Sequence, residues 1–287
     1  MRFNVPLKKR LLLLLFTFIV GFFILSVISG LVGYKWGDST PAMRIVAVMQ
    51  DLLIFILPAV ATAVMVTRQP ADLMGMRGKT PLLPLLIAAS VLVAGIPAMN
   101  EVIWLNNNLP LPDDLYAAIK NMEDSAASMV QALQGPHNVP NLIVAVLIMG
   151  VLTGLAEELF FRGALQRIMI TGGVNPHLAI WLAAAVFSIM HLQFLGFVPR
   201  LLLGAFFGYS FYWTRSIWVA VALHALNNTI YIVGQYVANG GTSTVDDIGS
   251  NNDFLFVGIS VALVITGMMV MHRISKICAS EQPHIDA

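Results

Sequence analysis

Eight runs of apolar residues, each long enough or nearly long enough to cross a bilayer, run through this chain of 287 residues and leave few folds open to it. They occupy 11–34, 45–66, 82–104, 140–165, 177–195, 200–214, 216–236 and 254–271. A helix of roughly 20 mostly apolar residues spans the hydrocarbon layer. The pattern predicts an all-α, polytopic membrane protein with about eight transmembrane helices. Composition agrees: 58% of residues are apolar and only 11% charged, whereas a soluble domain carries about 25% charged residues. The sixth run is short, and Thr214, Arg215 and Ser216 alone separate it from the seventh. The fourth continues as helix beyond Ala156 only if the charges that follow are shielded from lipid.

Charge distribution sets an orientation. Lys and Arg accumulate in short cytoplasmic loops. With the N-terminus inside, the cytoplasmic set is Arg2, Lys8, Lys9, Arg10, Arg68, Arg77, Lys79, Arg162, Arg167, Arg215, Arg273 and Lys276, and the other side receives Lys35, Arg44, Lys120 and Arg200. Twelve against four implies an even number of spans with both termini cytoplasmic. A multi-pass chain of this kind is expected in the cell's inner (cytoplasmic) membrane, with lipid as its immediate partner. Leu11–Tyr34 exceeds the 7–15 residues of an export signal's apolar region, so it reads as a retained first helix.

The first long non-cytoplasmic loop, about 106–140, has the spacing of an amphipathic helix from Leu115 to Leu133, with an aspartate cap before it and Gly135-Pro136 after it. A connector covering helix ends is the simpler reading, a substrate-gating lid the other. The second, 238–253, reads as an exposed link. Gly30 with Gly33, and Gly204 with Gly208, read as close helix packing. The lone Cys278 supports neither a disulfide framework nor a cysteine-based zinc site. A net charge of +1 gives no basic field for nucleic acid. The chain divides into helices 1–3 with their loop (1–138), a core (139–272) and a cytoplasmic tail (273–287).

Ionisable groups at membrane depth are costly and therefore functional suspects. Glu157 and Glu158 follow the apolar run Leu142–Ala156 directly. Glu158 and Arg162 are four apart and can pair. Glu157 points about 100° away from Glu158, without a local partner, and is the better candidate base. His191 lies near the end of the fifth run, and His224 and Asn228 share one face of the seventh. A carboxylate with imidazole can activate water, while an imidazole and an amide stabilise an oxyanion or complete a metal site. Neither a His-Glu-x-x-His run nor a Gly-x-Ser-x-Gly elbow is present. Ser188, three residues before His191, has no basic partner evident in the sequence.

These residues resemble the motifs of the CPBP intramembrane protease family, which includes the type II CAAX prenyl endopeptidases and the bacteriocin-processing or Abi proteins. Glu-Glu-x-x-x-Arg falls on Glu157, Glu158 and Arg162; Phe-x-x-x-His on Phe187 and His191; and the His with an Asn one turn on, on His224 and Asn228. The resemblance covers about 139–236. It implies an endopeptidase acting on peptides or proteins presented at the membrane. Glu157 and His191 would activate water, His224 and Asn228 would hold the oxyanion, and Glu158 and Arg162 would organise the site. In a metalloenzyme account Glu157, His191 and His224 would bind Zn²⁺; a metal-independent glutamate mechanism is the other account. Rival readings are a proton- or ion-coupled transporter and a catalytically silent immunity or scaffold protein. For a single site to form, the fourth helix must continue, buried, through Phe160-Phe161 to Met169.

Overall fold

A computed structural model describes residues 5–78, 80–239 and 254–280. Among the described residues there are helices and no strands: α1 (Leu7–Trp36), α2 (Thr40–Val66), α3 (Leu82–Ala94), α4 (Ile96–Asn107), α5 (Asp113–Gln134), α6 (Val139–Thr171), α7 (Pro176–Met190), α8 (Phe197–Thr214), α9 (Ile217–Asn239) and α10 (Phe254–Ser280), with a single helical turn at Pro70–Leu73. The chain is a multi-pass helical membrane protein. Five helices, α1, α2, α6, α9 and α10, are long and apolar enough to cross a bilayer alone, and α3 with α4 makes a sixth, bent by 45°. The bend falls at Gly95 with Pro97 just after it, where the proline ring cannot continue the hydrogen bonding of the preceding turn.

Lipid, not water, explains the surface. Of the 30 residues of α1 only Arg10, Leu14, Gly21 and Val32 are buried, while Phe16, Phe23, Val27 and Leu31 stand exposed. Gly21 sits where a Cβ would lie 1.9 Å from the Leu53 carbonyl oxygen of α2, so the glycine sets the approach of these helices. Gly204 and Gly208 likewise let α8 lie against Ala184 and Ile180 of α7. Gly30 and Gly33 have open space around them, so the packing expected there is absent.

Three helical stretches widen to π geometry: Asp51–Ile56 in α2, and Val146–Leu152 and Leu159–Gln166 in α6. The last two bracket Glu157 and Glu158. π turns inside α-helices recur at functional sites because each re-aims the side chains beyond it.

The fifth run is helical only to Met190; residues 191–196 form a turn in which Leu192 has φ +53°. The sixth and seventh runs are separate helices, broken where Arg215 adopts a left-handed conformation. The amphipathic helix α5 is present, but its N-cap is Pro112 without a side-chain bond, and Asp113 and Asp114 lie in its first turn, where they suit the helix dipole. Residues 240–253 lie outside the described residues, as do Lys79 and the side chain of Cys278.

The bundle has two ends. Among the described residues, Lys8, Lys9, Arg10, Arg68, Arg77, Arg167, Arg215, Arg273 and Lys276 lie at or near the end where α1 begins; Lys35, Arg44, Lys120 and Arg200 lie toward the other. Arg162 does not belong to either set, because it is wholly buried within α6.

Candidate active site

The predicted continuation of α6 determines the site. The helix runs unbroken from Val139 to Thr171, so Glu157 lies fourteen residues before its end, about 21 Å at 1.5 Å per residue. His191 follows the fifteen residues of α7, about 22 Å from that helix's start. The two therefore reach similar depth. His224 needs only two turns of α9 to join them, because α9 starts inside the bundle: Ser216 and Ile217 are fully buried, and Ile217 N–H donates to the Gly75 carbonyl at 3.1 Å.

Glu158 and Arg162 form the sealed part. Both are fully buried, and Arg162 Nη1 donates to Glu158 Oε1 at 2.6 Å. The pair is not a two-pronged fork. The same Oε1 accepts from His224 Nδ1 at 2.8 Å, while Arg162 Nη2 donates to the Gly204 carbonyl at 2.8 Å. One turn on, Gln166 donates to the Gly208 carbonyl at 3.2 Å, so α6 and α8 are joined by two side-chain-to-backbone bonds a turn apart. The rings of Phe161, Phe187 and Phe207 surround the guanidinium at 5.8, 5.0 and 5.6 Å, which adds cation-π attraction in the absence of water.

Glu157 is 7% exposed and faces a cavity of about 650 Å³ lined also by His191, His224 and Asn228. Its Oε2 lies 3.5 Å from His224 Nε2, so the partner absent from the local sequence comes from α9. Both glutamates thus meet one imidazole, one at each ring nitrogen. Gly154 permits it: a Cβ there would lie 3.0 Å from the Ala225 nitrogen. His191 Nδ1 contacts the Phe187 carbonyl at 2.8 Å. A carbonyl only accepts, so Nδ1 carries the proton and the Nε2 lone pair is left for another donor. Asn228 Nδ2 donates to the Met149 carbonyl of the first π stretch at 3.1 Å, which uses one of its two amide hydrogens. All six residues singled out by sequence converge.

A zinc site built from Glu157, His191 and His224 fits this arrangement poorly. Nδ1 of His191 and of His224 is engaged by the Phe187 carbonyl and by Glu158, which leaves Nε2 of each ring as the available donor, but among the described residues no three His, Cys, Asp or Glu side chains are placed to hold one metal ion together. Ser188 donates to the Phe197 carbonyl at 2.6 Å and is thereby held away from a nucleophile's role.

Sequence reasoning missed several neighbours. Asp51 is buried in the π turn of α2 and accepts from Thr153 Oγ1 at 2.9 Å, one turn before Glu157. Glu123 of α5 accepts from Gln193 Nε2 at 2.8 Å and from Leu195 N–H at 3.1 Å, fastening α5 to the turn that follows His191. Asn106 of α4 donates to the Leu195 carbonyl, and Arg200 donates to Gln193. With Tyr116 and Lys120, Glu123 lines the cavity, so α5 is more than a connector.

Residues 139–230 match the family model described as type II CAAX prenyl endopeptidase Rce1-like. Searches of curated proteins and of solved structures returned no match.

Proposed function

We propose that this chain, which belongs through residues 139–230 to the CPBP family of type II CAAX prenyl endopeptidases, hydrolyses peptide bonds of membrane-associated substrates by a glutamate-activated water, without a catalytic metal. The observation that carries this reading is the pair of buried carboxylates on one imidazole, beside a cavity that also receives His191 and Asn228.

In this mechanism the water lies between the Glu157 carboxylate and His191 Nε2. Glu157 takes one proton as the water oxygen attacks the scissile carbonyl carbon, and His191 Nε2 accepts a hydrogen bond from the remaining O–H, which stays on oxygen, and so orients the molecule. The second N–H of Asn228 receives the developing oxyanion. Glu157 then delivers its proton to the leaving nitrogen as the C–N bond breaks. Glu158 and Arg162 act through His224, holding its ring against Glu157. The metal-free form is supported by the placement of the donors, since among the described residues no three His, Cys, Asp or Glu side chains are set to hold one metal ion together.

The protein sits in this reading as eight spans in the cytoplasmic membrane with both termini inside, α3 and α4 forming one bent span and α7 and α8 two short ones.

The test is proteolysis of a peptide library by detergent-purified protein, with Glu157→Ala and His191→Ala beside it and metal analysis of the same samples. Cleavage by the wild type, lost in both variants and unchanged by chelation, is the expected result. Cleavage surviving both substitutions would defeat the assignment. Stoichiometric zinc whose removal abolishes cleavage would replace the metal-free mechanism.

A further inference from the structure

A helix outside residues 139–230 reaches the turn of α6 that precedes Glu157, and it does so with a buried acid. Asp51 is 2% exposed in the π stretch of α2, and its Oδ2 accepts from Thr153 Oγ1 at 2.9 Å. Gly21 of α1 presses on the same stretch at the Leu53 carbonyl. No ion pair among the described residues includes Asp51, and the charged group that acts on it is a second carboxylate, Glu157. A buried acid without a cation is a costly way to join two helices, and an apolar pair of the same shape would serve packing as well. An ionisable group kept at such depth points to function.

Thr153 stands where two parts of the site meet. It lines the cavity and lies one turn before Glu157, on the same face of α6. Its hydroxyl also meets the Ile148 carbonyl at 3.1 Å, within the π stretch Val146–Leu152. The next carbonyl of that stretch, Met149, accepts from Asn228 of α9. The widened turn is therefore gripped by α2 on one side and by α9 on the other. Gly150 admits α9 this closely, since a Cβ there would lie 2.9 Å from Thr229 Oγ1. A π turn re-aims the side chains beyond it, so whatever fixes this turn sets the direction of Glu157 and the place of the Asn228 amide together.

We propose that Asp51 is a positioning residue of the hydrolytic site: through Thr153 it holds the first π turn of α6, so that Glu157 and Asn228 address one scissile bond. The role rests on the hydrolytic reading above; the grip on the turn rests on the bonds themselves. It makes α2 a working part of the site, although the family match begins only at residue 139.

The experiment uses the full chain purified in detergent. Asp51→Ala is expected to lower kcat by about 10²-fold, the cost of a misplacement of about 1 Å, with KM unchanged. Asp51→Asn, whose amide still bonds the Thr153 hydroxyl, is expected to restore most of that loss. Thr153→Val is expected to match Asp51→Ala, and the two losses do not multiply when combined, because both break one contact. In case Asp51→Ala fails to fold, Asp51→Leu with Thr153→Val replaces both partners by apolar groups of similar shape, a change close to neutral for stability. This pair is expected to melt near wild type and still lose kcat. Wild-type kcat in a folded variant that breaks the bond overturns the proposal, as do losses that multiply or an Asp51→Asn protein as impaired as Asp51→Ala. Hydrogen exchange of the amides of residues 146–157 is followed on the same samples. Faster exchange in Asp51→Ala and Thr153→Val, but not in Asp51→Asn, is expected; unchanged exchange overturns the grip on the turn. The expected exchange pattern beside a wild type that cleaves no peptide would leave that grip standing and defeat the hydrolytic reading.

Discussion

On one side of His224 lies a region built not to move; on the other lies a region built to admit something. Glu158, Arg162 and Gln166 are fully buried, Arg162 and Gln166 donate to two carbonyls of α8, Glu158 accepts from Arg162, and three aromatic rings surround the guanidinium. Glu157, His191 and Asn228 face a cavity whose far wall is a mostly exposed amphipathic helix held by a few polar bonds. Two adjacent glutamates fall on opposite sides of this division. The difference teaches that the buried pair is architecture for the imidazole, while the neighbouring carboxylate is free for chemistry.

The largest break in that comparison comes from removing the charge at its sealed side. Arg162→Met leaves Glu158 buried without its cation, a change that typically costs about 3–5 kcal/mol. The expected outcome is a large fall in thermal stability of the detergent-solubilised protein and poor recovery from membranes. A variant as stable as wild type would mean that the sealed region is not the structural half.

A smaller effect is expected at the contact between α6 and α9. Gly154→Ala places a methyl 3.0 Å from the Ala225 backbone nitrogen, and overpacking of this kind costs about 1–3 kcal/mol. Because the strain pushes His224 away from Glu157, activity is expected to fall more than stability does, read as kcat against the thermal midpoint. Equal losses in both would make the contact a packing site only.

The smallest effect belongs to the open side. Glu123→Gln keeps the shape of the side chain and weakens the bonds to Gln193 and Leu195, to a cost of about 1 kcal/mol. Little change in melting and a change of a few-fold in KM are expected, since α5 would be less firmly held over the cavity. A loss of folding in this variant would move α5 into the structural half.

Much of this was legible in the sequence for identifiable reasons. The Glu158–Arg162 pair follows from four-residue spacing alone, and the passage of α6 to Thr171 follows from the need to bury that pair. The depth of the site was not legible. Charge near Arg162 draws a hydropathy reading toward the cytoplasmic surface, whereas the fully buried guanidinium belongs to the interior. The end of α7 was hidden because Leu192, Phe194 and Leu195 prolong the apolar run past the left-handed residue that stops the helix. Asp51 was hidden inside an apolar run, and its partner Thr153 is 102 residues away. The π turns leave no mark in composition, yet they flank the two glutamates that meet one imidazole.

The most direct measurement compares Glu157→Gln with Glu158→Gln, recording peptide cleavage and thermal midpoint on the same purified samples. The account predicts that Glu157→Gln keeps its midpoint within about one degree while cleavage falls by about 10²–10⁴, the usual worth of a general base, and that Glu158→Gln loses both stability and activity. Full cleavage by Glu157→Gln, or a Glu158→Gln protein as stable as wild type, would contradict it.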